Sequence, residues 1–152
     1  TPALLMMGVS TGFGRILTIT QVPVMIADAI LGLTSSKILV LLLINVLLLI
    51  VGTFMETNAA IIILTPILLP IVTRLGVNPI HFGIIVVMNL SIGFITPPLG
   101  ANLFMACQVG EISFDKLARK IWPWIVVMVA LLMLVTYIPQ ISMALPEAMG
   151  VI

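Results

Sequence analysis

ITPPLGAN, residues Ile95 to Asn102, interrupts an apolar stretch that runs from about Phe82 to Gly110. Pro97 and Pro98 remove two backbone donors, and the first of them pushes Thr96 out of helical geometry. Gly100 then lets the chain turn again. The string predicts a helix broken in the middle of a hydrophobic segment. Lipid does not tolerate exposed non-helical backbone. Such a break survives only where it is buried in protein or lines a polar cavity, as in the discontinuous helices around transporter binding sites. It points to a transport cavity rather than to a simple span.

The composition agrees with a membrane setting. Of 152 residues, 62% are hydrophobic and 7% charged, whereas a soluble domain carries about 45–50% apolar and about 25% charged residues. The chain is therefore read as an all-α integral membrane protein embedded in a lipid bilayer. Its apolar runs are longer than the ~10-residue alternating segments of an outer-membrane barrel. A net charge of +1 gives no sign of a nucleic-acid partner, and none is expected. The single cysteine, Cys107, leaves no internal disulfide and no cysteine-rich metal site. The opening TPALLMM has no initiator Met, basic n-region or cleavage-site pattern, so no signal peptide is expected. With so few hydrophobic elements, the expectation is a C-terminal piece of a longer transporter polypeptide.

Outward from the break, charges and prolines divide the chain into five parts. Residues 1–36 read as the end of a transmembrane helix, Pro2 to about Thr18 with Arg15, followed by a short interfacial or connecting helix, Gln21 to Leu33 with Asp28. Gly8, Gly12 and Gly14 give the first of these the small-residue spacing of a close helix contact, or simply a flexible helix. Residues 37–75 hold two apolar arms, Ile38–Val51 and Ala59–Thr73, around the polar tip GTFMETN, Gly52 to Asn58. Each arm covers ~21–22 Å as helix, short of the ~30 Å hydrocarbon core. This favours a re-entrant hairpin; two spans joined at a surface turn is the other reading. Residues 76–110 form the interrupted transmembrane helix. EISFDKLARK, residues 111–120, reads as a polar loop, and residues 121–152 as the last transmembrane helix and a tail closed off by Pro139 and Pro146. Trp122 and Trp124 at one end of that helix and Tyr137 at the other suit the two membrane interfaces.

Lys116, Arg119 and Lys120 cluster in the short 111–120 loop, which the positive-inside rule places in the cytoplasm. The C-terminus is then outside. Traced backwards, the hairpin mouth with Lys37 and Arg74 is also outside, and its tip dips inward towards the TPPLG break.

A hairpin tip facing a broken helix is a physically sensible cation site, because unwound backbone exposes carbonyl oxygens and hard cations take several oxygen ligands. Candidate oxygens lie on Gly52, Thr53, Thr57 and Asn58 of the tip and on Ile95, Thr96, Gly100 and Asn102 of the break. Helix N-termini at the same loops can face an anionic substrate. The bland alternative is that both loops merely accommodate kinks. Glu56 is an ionisable group at membrane depth and so a functional candidate, although close to a tip it can also reach water or pair with a base. Asn45 and Asn89, inside apolar helices, read as interhelical hydrogen-bond partners ahead of substrate contacts. Arg15 reads as snorkelling to an interface, and His81 as a polar residue at a helix boundary. Cys107 and the ten methionines read as packing residues. No Ser–His–Asp set, HExxH, Walker loop or GxGxxG occurs, so no catalytic residue and no enzymatic activity is expected.

GTFMETNAAIIILTPILLPI (52–71) and HFGIIVVMNLSIGFITPPLGANLF (81–104), followed by a final helix with YIP and LP, strongly resemble the C-terminal part of the large membrane subunit of TRAP transporters. These are the tripartite ATP-independent periplasmic transporters. The resemblance covers about Ile38 to Pro146, and more loosely the residues before. It implies the second inverted repeat of an elevator-type ion transporter superfamily fold in the prokaryotic inner membrane, with a periplasmic C-terminus. It further implies a sodium-coupled symporter for an organic anion, such as a C4-dicarboxylate or sialic acid. Its implied partners are a periplasmic solute-binding protein, a small TRAP membrane subunit and the remaining N-terminal part of the large subunit. No cofactor is implied beyond Na+ as coupling ion. By motif, the sodium region falls on Gly52, Thr53, Thr57, Asn58, Ile95, Thr96, Gly100 and Asn102. Substrate contacts fall on Thr57, Asn58, Pro97, Pro98 and Asn102. Glu56 stands where the family pattern often has Asp, and Ala101 occupies a variable position; both leave the substrate open. A binding-protein-independent symporter of the same superfamily and a non-transporting membrane scaffold are the competing readings.

Overall fold

The computed structural model describes residues 36–97 and 100–150, with isolated positions between 12 and 32. The expectations for Pro2–Thr18 and Gln21–Leu33 lie largely outside the described residues, and Pro98 lies wholly outside them. Among the described residues from Lys37 onward, six helices follow in order: α1 (Lys37–Phe54), α2 (Thr57–Arg74), α3 (Pro79–Gly93), α4 (Ala101–Gly110), α5 (Phe114–Tyr137) and α6 (Pro139–Ala148). Three of them, α1, α2 and α5, are long and apolar enough to cross a membrane.

Several boundaries differ from those read in the sequence. Both hairpin arms are 18 residues long, about 27 Å each, so their length no longer argues for a re-entrant path. Only Met55 and Glu56 separate them. Gly52, Thr53 and Phe54 stay helical, and the chain turns extended at Met55, whose N–H still bonds the Val51 carbonyl at 2.8 Å. The expected loop 111–120 is helical from Phe114 onwards, because Lys116, Leu117, Ala118, Arg119 and Lys120 are all good helix formers. The tail is helical as well. Pro139 occupies the first turn of α6, where its fixed φ favours a helix start and its missing N–H would have no partner anyway. The break itself falls where the prolines place it, between Gly93 and Ala101.

The start of α3 is set locally. The α2–α3 turn uses Gly76 at φ +75°, a conformation that suits a residue without Cβ. Asn78 then caps α3 by accepting from the Ile80 N–H at 2.9 Å, and Pro79 stands at its first position. In α2, Ala60, Leu64, Leu68 and Val72 form a buried row, while Ile62, Pro66 and Pro70 form the exposed row opposite. The two internal prolines thus turn their disrupted backbone away from the core.

α3 is the hub, packed against α1, α2, α5 and α6, while α4 packs on α5. Val40, Ile44, Leu47, Leu48 and Val51 of α1 join Phe82, Val86 and Leu90 of α3 and the buried α2 row in one core. Ile92, Ile125 and Leu132 seat α5 beside it, and Phe104 of α4 stacks on Phe114 with ring centroids 4.6 Å apart. α1 and α3 run parallel. Lys37, Ile38 and Leu41 share one cavity with Val77, Asn78 and His81 at their N-terminal ends, and Gly52 meets Gly93 at the other. α5 runs against them, with Thr136 at the level of Asn45 and Ile125 near Ile92.

Where lipid surrounds a bundle, burial of apolar groups drives helix association little; close packing and interhelical hydrogen bonds take over. Both devices are present. Asn89 Nδ2 donates to Asn45 Oδ1 at 2.6 Å and to the Ile85 carbonyl at 2.8 Å. Asn45 Nδ2 donates to Thr136 Oγ1 at 3.2 Å, and Thr136 donates to the Leu132 carbonyl at 2.7 Å. Asn45 and Asn89 are fully buried, in keeping with the interhelical role read from the sequence. Asn45→Leu strands partners on α3 and α5 and is expected to lower stability by about 1–2 kcal/mol in thermal unfolding of the reconstituted protein. Asn45→Leu/Asn89→Leu should lose less than the sum of the single changes; additivity within about 0.3 kcal/mol would argue that the pair is uncoupled.

The hairpin tip and the helix break

The C-terminal ends of α1 and α3 meet backbone to backbone. A Cβ added to Gly93 would lie 2.7 Å from the Gly52 carbonyl carbon and 2.8 Å from both the Gly52 Cα and the Leu49 carbonyl oxygen. Added to Gly52, it would lie 3.0 Å from the Leu90 Cα. Only a pair of glycines permits this approach. It sets the hairpin tip beside the break, the juxtaposition expected from the lengths of the elements and the side of entry that the charges give.

The electrostatics follow from direction. Each α-helix carries roughly half a negative charge at its C-terminal end, and the parallel α1 and α3 bring two such ends together. α2 begins at Thr57 and α4 at Ala101, so each loop also presents a helix N-terminus. The site pairs carbonyl-rich ends suited to a cation with N–H-rich ends suited to an anion.

The oxygen-bearing side chains divide into two groups. Thr53 and Thr96 are half-buried. Each donates its hydroxyl proton to a carbonyl one turn back, Thr53 to Leu49 at 2.9 Å and Thr96 to Ile92 at 2.6 Å. That leaves hydroxyl lone pairs available, which suits a cation and not an anion. Thr57, half-buried, opens α2, whereas Asn58 is exposed and donates to Glu56 Oε1 at 2.7 Å. Glu56, also exposed, contributes a negative charge at the tip rather than a buried ligand. Asn102 is exposed on α4, and its N–H reaches the Phe94 carbonyl at 3.4 Å.

The break is a compact loop. Phe94 N–H bonds the Leu90 carbonyl at 2.9 Å, Thr96 N–H the Gly93 carbonyl at 2.9 Å, and Gly100 N–H the Thr96 carbonyl at 3.1 Å. Gly100 is buried, and a Cβ there would lie 2.9 Å from the Ile95 carbonyl carbon. Its backbone therefore shapes the loop around Ile95, Thr96 and Pro97. The sequence reading missed two contributors, Gly93 and Leu49, whose backbones form the floor on which tip and break meet. A glycine one turn before a double proline was the available signal.

Comparison with known proteins places the chain in a family. The profile of the family described as "Tripartite ATP-independent periplasmic transporter, DctM component" matches residues 3–141. The chain belongs to this family. Among curated TRAP relatives, it is 56% identical over 140 residues to the "Isethionate TRAP transporter permease protein DctMQ" of Oleidesulfovibrio alaskensis, covering 92% of this chain and 22% of that one. It is 45% identical over 138 residues to the "C4-dicarboxylate TRAP transporter large permease protein DctM" of Pseudomonas aeruginosa, covering 91% and 32%. With the "Sialic acid TRAP transporter large permease protein SiaM" of Vibrio cholerae it shares 43% over 145 residues, covering 95% and 34%. This TRAP permease chain thus spans about a fifth to a third of the length of those relatives.

Proposed function

We propose that this TRAP permease chain supplies one half of the ion and substrate centre of a sodium-coupled secondary transporter in a prokaryotic inner membrane. The observation that carries this reading is the Gly52–Gly93 contact, which gathers two helix C-termini beside the Thr53 and Thr96 hydroxyls. Sodium takes carbonyl and hydroxyl oxygens from Gly52, Thr53, Ile95, Thr96 and Gly100, with Thr57, Asn58 and Asn102 at the rim. An organic anion lies towards the N-termini of α2 and α4, near Thr57, Asn58, Pro97, Pro98 and Asn102. Relatives named for isethionate, C4-dicarboxylate and sialic acid share an anionic headgroup, which favours a carboxylate or similar acid as substrate. A periplasmic solute-binding protein delivers it, and a small membrane subunit and the other half of the large subunit complete the machine. The hairpin α1–α2 and the broken helix α3–α4 form the second repeat and travel together in an elevator motion, with the hairpin re-entrant and the C-terminus periplasmic.

The test is uptake into proteoliposomes holding the complete permease with its small subunit. Uptake is expected only with both an inward sodium gradient and the loaded binding protein. Equal uptake without the gradient would remove sodium coupling. Equal uptake of free substrate without the binding protein would make the chain part of a simpler symporter. No uptake under any condition would leave a scaffold.

A further inference from the structure

We infer that His81 is a proton-binding site that latches the outset of α3 to the kink between α5 and α6. In the sequence it reads as an ordinary boundary residue, but in the fold it is 3% exposed. Both ring nitrogens face oxygens of the last two helices: Nε2 the Thr136 carbonyl at 3.2 Å, and Nδ1 the Ser142 hydroxyl. The Thr136 carbonyl belongs to the last turn of α5, where carbonyls run out of helical partners, and the imidazole offers it a donor.

The bonding pattern distinguishes two protonation states. A carbonyl only accepts, so Nε2 must carry a hydrogen. The Ser142 hydroxyl also reaches the Pro139 carbonyl at 3.0 Å, and its one proton serves either that carbonyl or Nδ1. With neutral His81, one of the three contacts lacks a proton. With imidazolium, all three are made: Nε2–H to Thr136, Nδ1–H to Ser142, and Ser142 O–H to Pro139. Proton binding and closure of the latch therefore favour each other reciprocally.

His81 opens on a cavity of about 650 Å³ that Lys37 of α1, Tyr137 of α5 and Glu147 of α6 also line, with no lining residue from α2 among those described.

The experiment uses the complete permease in lipid nanodiscs and does not depend on transport. Amide hydrogen exchange of residues 137–143, corrected for intrinsic rates, is followed from pH 8 to pH 5, the range in which imidazoles titrate. Site-resolved C2–H exchange reports His81 itself. Protection is expected to rise about tenfold as pH falls, the worth of one charge-assisted hydrogen bond, in step with His81 titration. In His81→Gln, which keeps a donor and an acceptor but cannot take a proton, the profile should be flat. If that variant does not fold, Ser142→Ala serves, since it removes the Nδ1 acceptor and should abolish the rise. A flat wild-type profile, or the same rise in either variant, overturns the latch.

Discussion

Gly93→Ala is expected to disrupt this TRAP permease chain more than any other single methyl addition at a described glycine. The new Cβ would meet three backbone atoms of α1 at 2.7–2.8 Å, and backbone cannot rotate aside as a side chain can. The helices must separate, and with them the Leu48, Val51 and Leu90 contacts that share the same core. Overpacking of this kind costs about 1–3 kcal/mol, and this geometry belongs at the upper end. Thermal unfolding of the complete permease should show that loss, and uptake should fall by at least about tenfold because the tip is displaced from the break. Gly83→Ala is the control: among the described residues nothing lies within 4 Å of its added Cβ, and replacing a helical glycine removes up to about 1 kcal/mol of helix penalty. A Gly93→Ala protein as stable as the control would show that α1 and α3 do not approach as described.

Thr96→Val is expected to raise the sodium concentration for half-maximal uptake about tenfold while leaving the fold intact. Valine matches threonine in shape, and the lost hydroxyl donates only to the Ile92 carbonyl in the last turn of α3, so structural losses should stay near 1 kcal/mol. Removing one oxygen ligand from a hard cation should weigh more on ion affinity, by roughly 1.4 kcal/mol for each tenfold. Asn58→Ala should shift sodium dependence less, because Asn58 is exposed and engaged with Glu56. The ordering separates a site centred on the α1 and α3 ends from one centred on the polar tip. Sodium curves unchanged in Thr96→Val would remove the break from the ion site.

The break was readable because prolines act on their own backbone: Thr96, Pro97 and Pro98 leave no helical alternative wherever the rest of the chain lies. The start of α3 was equally local, set by Asn78 and Pro79. The tip was harder. GTFMETN looks like a loop by composition, yet Gly52, Thr53 and Phe54 complete the last turn of α1. Polar composition does not end a helix when a carbonyl four residues back is still in reach. The same error of reading polarity as irregularity hid the first two turns of α5, and reading proline only as a terminator hid α6.

By itself, then, the sequence determined an all-helical membrane chain, the position of its break, and the oxygen-bearing residues on either side of it. Those properties depend on apolar length and on backbone chemistry within a few residues. Only the tertiary structure decided that Gly52 rests on Gly93, that Asn45 and Asn89 join α1 to α3 and Thr136 of α5, and that His81 is buried against Thr136 and Ser142. Each of these unites residues far apart in the chain through a close approach of backbones or a shared hydrogen atom. Such contacts have no local signature, because a glycine, an asparagine or a histidine in an apolar helix is the same residue until a neighbour arrives.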